Sequence, residues 1–169
     1  MDITKMRAVQ GPLKERYKKD PETARIRSRA EAILDLDDIS CRVETNIGVE
    51  SVGLHKSTGG DGSKACSADM LLEALAGCAG VTLKAVATSM RLNIDHAKVM
   101  AKGIWDARGT LAVDRDAPVG LTQVELRFEI DSGDDPKKIE RLIELTERYC
   151  VVYQTLANPP ALSSQLKIV

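Results

Sequence analysis

Aromatic residues are scarce in this chain of 169 residues: Trp105, Phe128, Tyr17, Tyr149 and Tyr153 are the whole set. Leu, Val, Ile and Ala must therefore build the core. Charge of one sign is missing as well, the net charge being −1, which gives no general argument for a nucleic-acid or membrane partner. The stretch from Lys14 to Arg29 holds seven basic residues against Glu15, Asp20 and Glu22. Without interleaved aromatics or glycines it reads as a solvated helix face and not a nucleic-acid arm. No run reaches eighteen uncharged apolar residues, and MDITKMRAVQ has no apolar signal region, so a cytoplasmic protein is expected.

The four cysteines, Cys41, Cys66, Cys78 and Cys150, show neither CxxC nor Cys/His spacing, so no metal is expected. In a reducing compartment permanent disulfides are not expected either, which leaves buried small hydrophobes or reactive thiols. Lys56 to Cys66, KSTGGDGSKAC, is rich in glycine but lacks the order of a phosphate loop and of GxGxxG, so no cofactor is expected. His55 and His96 lack companions for a triad and read as ordinary histidines.

What is there centres on Ser67–Met90, SADMLLEALAGCAGVTLKAVATSM. Ser67 or Asp69 offers a cap, and only Asp69, Glu73 and Lys84 are charged. This predicts a central helix apolar on nearly every side. Gly77 and Gly80 at its middle cost about 1 kcal/mol each against alanine, so something is expected to approach closely there.

Around it, Gly11-Pro12 is expected to open a short basic helix, and Asp20-Pro21-Glu22 a second, with Ile26, Ala30, Ile33 and Leu34 as its stripe. Residues 1–37 form a helical extension and 38–169 the main domain. Ile39, Cys41, Val43 and Thr45 alternate with polar neighbours, and Asn46-Ile47-Gly48 turns into a strand from Val49 to His55. Strands follow at 97–106 and 121–131, separated by a short strand or extended loop. In the second of these Thr122, Val124, Leu126, Phe128 and Ile130 share one face. Asp135-Pro136 opens a helix with Ile139, Leu142, Ile143, Leu145 and Tyr149 on its apolar stripe, and the chain continues through CVVYQTLA. Leu162, Ser164, Leu166 and Ile168 alternate as a final strand. Antiparallel strands interrupted by helices indicate an α+β fold. A helix this apolar in so small a chain calls for a second subunit, hence a homodimer.

Cys78 in mid-helix and Cys150 at a helix end lie 72 residues apart. Taken alone, both read as packing residues or as a reactive pair. GGDG followed by SADMLLEALAGCAGVTLKAVA, and then ERYCVVYQTL, resemble the OsmC/Ohr family of osmotically inducible and organic-hydroperoxide-resistance proteins. The resemblance runs from about Ile39 to Val169. It implies curved antiparallel sheets around two central helices in an intertwined homodimer. It also implies a thiol-dependent peroxidase, with Cys78 as the peroxide-reacting thiol, Cys150 as the resolving thiol and a lipoyl-type dithiol as reductant. By the same resemblance, Arg42 is the candidate activating arginine and Asp69 the acid that orients it, with Arg148 and Glu73 as alternatives. A mid-helix Cys78 is expected to gain no help from a helix N-terminus. Ala68, Asp69 and Cys150-Val151-Val152 depart from the proline, glutamate and Cys-Pro-Val frequent in that family. The alternative is a non-catalytic relative that holds an apolar ligand at the dimer interface.

Overall fold

The computed structural model describes residues 2–45 and 47–168. In order they form α1 (Ile3–Lys19), β1 (Glu31–Leu34), β2 (Ser40–Thr45), β3 (Gly48–Gly53), β4 (Ala65–Cys66), α2 (Ser67–Met90), β5 (His96–Ile104), α3 (Ala107–Thr110), β6 (Gln123–Asp131), α4 (Pro136–Tyr149) and α5 (Val151–Ala157). This is the expected α+β class. Two compact units result: Met1–Glu73 with Lys102–Glu125, and Ala74–Ala101 with Leu126–Val169.

In the first unit, β1, β2, β3 and β4 form one sheet in that order. β1–β2 and β2–β3 are antiparallel, while the two-residue β4 runs parallel to β3, pairing Gly53 with Cys66. The expected hairpin closes with Thr45 opposite Gly48; Asn46 of its turn lies outside the described residues. Cys41 and Val43 are half-buried and Arg42 points to solvent, as the alternation predicts.

Three expectations for the chain ends fail. α1 begins at Ile3, capped by Asp2, whose Oδ1 accepts from the Lys5 N–H at 2.9 Å. Gly11-Pro12 therefore lies inside the helix, where Pro12 has no N–H to donate. The second helical piece shrinks to one 3-10 turn, Pro21–Ala24, capped by Asp20 as expected. Beyond it, Ile33 and Leu34 belong to β1, because the ladder to Arg42 and Cys41 overrides a short and ambiguous periodicity. The expected last strand is also absent. Leu162, 94% exposed, and its alternating neighbours meet no strand among the described residues, and alternation without a ladder makes no strand.

In the second unit α2 supplies Leu75, Ala79, Leu83 and Ala87, a row at four-residue spacing and all buried. Leu75 and Ala79 pack with Cys150, Val99 and Phe128, and Leu83 and Ala87 with Leu142, Ile130 and Ile143. α2 is long and apolar enough to cross a membrane by length and composition. Within the single chain, only this row of the helix is buried. Ala74, Gly77 and Val81 are exposed, and a Cβ on Gly77 would meet open space. At Gly80 the nearest atom is Val99 Cγ2, 4.0 Å from such a Cβ. Nor do Ser67 or Asp69 cap α2, since the helix starts at Ser67 directly after β4.

β5 and β6 pair, with the Asp95 N–H donating to Asp131 O and the Thr122 N–H to Ile104 O. Leu126, Phe128 and Ile130 turn inward as expected. α4 starts on Asp135, whose Oδ1 accepts from the Lys137 N–H at 2.9 Å. Its stripe differs from expectation at the end. Thr146 is buried where Tyr149 was expected, and its hydroxyl is paired, donating to Leu142 O at 2.8 Å.

The candidate thiol site

Cys78 and Cys150 meet in the second unit. Cys150 is fully buried against Leu75 and Ala79, and half-buried Cys78 packs on the same cluster. All four cysteines are free thiols. The chain does not run straight through CVVYQTLA. Cys150 has extended backbone angles (φ −75°, ψ 110°), so α4 stops and α5 begins at Val151. Cys150 is both C-cap of the first helix and N-cap of the second, and its Sγ accepts from the Tyr153 N–H at 3.5 Å.

This break decides the electrostatics. The first N–H groups of a helix have no carbonyl of their own helix to bond. Burial works against ionising Cys78. Against it, the neighbouring Val152 N–H, Cys150 thiol, Val151 N–H and Thr82 hydroxyl favour the Cys78 thiolate. The balance holds Cys78 below the ordinary cysteine range. Burial pushes Cys150 the other way, opposed by the Tyr153 and Val152 N–H groups and reinforced by the Cys78 thiolate beside it; its thiol sits above the ordinary range. Of the two thiols, Cys78 is therefore the easier to ionise.

Of the residues singled out from the sequence, the structure brings together Cys78 and Cys150. Arg42 is exposed on β2 opposite Ser51, and Asp69 is exposed in the first turn of α2. Both belong to the first unit and both thiols to the second. Exposed Arg148 lies over the Tyr149 ring, 5.6 Å from its centroid. Sequence reasoning missed Thr82, Val151 and Val152. It also denied Cys78 a helix N-terminus, which holds for its own helix; the backbone N–H groups that favour its thiolate belong to α5. The one available signal was the Cys-Pro-Val departure, since proline suits the first position of a new helix.

The family described as OsmC-like protein matches residues 60–165. No curated protein matches the chain. Among solved structures, an OsmC-like protein from Mycoplasma pneumoniae is similar at a TM-score of 0.65 and 20% identity, over 79% of this chain and 89% of that one. An organic hydroperoxide resistance protein from Elizabethkingia anophelis gives 0.62 and 20%, over 79% and 91%. One from Legionella pneumophila gives 0.63 and 16%, over 79% and 90%.

Proposed function

The chain belongs to the OsmC-like protein family, and from that premise we propose that it is a cytoplasmic thiol-dependent peroxidase for organic hydroperoxides. The observation that carries the reading is that two free thiols, Cys78 and Cys150, pack together on one buried cluster, and the opposed shifts of the pair agree with it. The similar proteins named for organic hydroperoxide resistance agree with it.

The Cys78 thiolate attacks the distal peroxide oxygen and the O–O bond breaks. The departing alkoxide takes a proton and leaves as the alcohol, so Cys78 is oxidised to the sulfenic acid. Cys150 then attacks that sulfur, expelling water and closing a disulfide, which a lipoyl-type dithiol reduces by exchange. Arg42 and Asp69 stand in this reading as the arginine and acid that assist the thiolate. The exposed row Ala74, Gly77 and Val81, with open space at Gly77, supports a homodimer in which the second subunit covers α2.

Stopped-flow oxidation by cumene hydroperoxide, compared with hydrogen peroxide, tests the proposal. The organic peroxide should react faster, and Cys78→Ser should abolish the reaction. Sluggish consumption of both peroxides, unchanged in that variant, would favour a non-catalytic binding protein.

A further inference from the structure

The first unit holds a cavity of about 380 Å³ that shares no residue with the thiol site. Its size falls in the ordinary range for small-molecule pockets, roughly 300–1,000 Å³. Leu54, Leu71, Trp105, Val119 and Leu121 supply apolar wall. The parallel pairing of Gly53 with Cys66 sets the Cys66 residue beside β3 on another side. Two glycines shape the surroundings. A Cβ on Gly103 would lie 2.7 Å from Leu121 Cδ2, so that side chain would have to shift to make room for one. A Cβ on Gly60 would strike the Leu54 carbonyl oxygen, so the turn that carries Leu54 and His55 also needs glycine.

His55 is the oriented polar group. Its Nδ1 accepts from the Ser57 N–H at 3.0 Å, which puts the imidazole proton on Nε2. Edge-to-face contact with Trp105, centroids 5.4 Å apart at 82°, sets its ring against the cavity wall. No Lys, Arg, Asp or Glu is among the described residues lining the cavity. An ion would enter without a countercharge, at the cost of its hydration.

We propose that this cavity is a binding site for a neutral, mainly aliphatic small molecule with one hydrogen-bond acceptor, which takes the His55 Nε2 proton. Apolar walls hold the alkyl part and the His55 donor sets its orientation.

The chain carries its own reporters. Trp105 is its one tryptophan, and Cys66 lines the cavity while Cys41 does not. Titration of the full chain with 1-octanol should give a saturable change in Trp105 emission. At saturation, iodoacetamide labelling of Cys66 read by mass spectrometry should slow several-fold while Cys41 labelling is unchanged. Ala68→Leu, which fills the cavity from α2, should remove both responses. His55→Leu should weaken octanol about two- to tenfold, the usual worth of one hydrogen bond. Unchanged Cys41 labelling and circular dichroism in both variants show that each has folded. A linear, unsaturable emission change, or octanol binding unaltered in a folded Ala68→Leu, overturns the site. Octanoate binding as tightly as octanol overturns the neutral class.

Discussion

α4 and α5 begin fifteen residues apart in the same unit, and their starts are built differently. Asp135 closes α4 on itself. Its carboxylate takes the Lys137 N–H at 2.9 Å, and its carbonyl takes those of Lys138 and Ile139 at 2.9 and 3.2 Å. α5 has a thiol for its cap, a weak acceptor that takes the Tyr153 N–H at 3.5 Å. The Val151 and Val152 N–H groups favour the Cys78 thiolate, and the Val152 N–H that of Cys150 as well. A strong cap spends a helix start on stability, worth about 1 kcal/mol. A weak one leaves donors for another group, and here that group is a thiol.

Three substitutions probe this contrast. Cys150→Ser gives α5 an oxygen cap like that of α4 and removes the second thiol. Steady-state peroxide turnover with a dithiol should fall by about a hundredfold or more, the order expected when a covalent step is lost. A sulfenic acid should accumulate at Cys78, trappable with dimedone; turnover within threefold of the original chain would remove Cys150 from the cycle. Val151→Pro deletes one donor while suiting the first helical position, and the extended Cys150 backbone accepts a following proline. The rate with cumene hydroperoxide at pH 7 should drop about tenfold, since a hydrogen bond to a charged group contributes about 1.5 kcal/mol. An unchanged rate would leave the Val152 N–H as the sole backbone donor that matters. Thr82→Val, isosteric and on α2 itself, should cost about two- to threefold in the same assay.

The opposed shifts also fix signs for stability. Cys78, held low in the fold, adds stability above the ordinary cysteine range near pH 8.5, lost as pH falls through its lowered value. Cys150, held high, adds stability below that range, lost as pH rises through its raised value.

The sequence was most legible where periodicity was long and its breaks were marked. α2, the inward Leu126–Phe128–Ile130 face of β6 and the Asp135-Pro136 start of α4 all follow from spacing and capping chemistry. Legibility failed where pairing decides. Ile33 and Leu34 fit a helical stripe yet join a ladder, and the segment around Leu166 alternates yet pairs with nothing among the described residues. The thiol pair and the roles within it were legible through a family resemblance, but what sets the two thiols apart physically was not. That depends on the backbone break at Cys150, with no proline after it to mark the place, and on N–H groups whose aim no side-chain pattern encodes.

The most direct test of the central claim is a pH titration of the reduced chain labelled with ¹³Cβ-cysteine, followed by NMR. Thiolate formation at Cys78 should come below the ordinary cysteine range and well before that at Cys150, and Val151→Pro should move the Cys78 midpoint upward. Cys150 ionising first, or a Cys78 midpoint at the ordinary value and indifferent to Val151→Pro, would contradict the account.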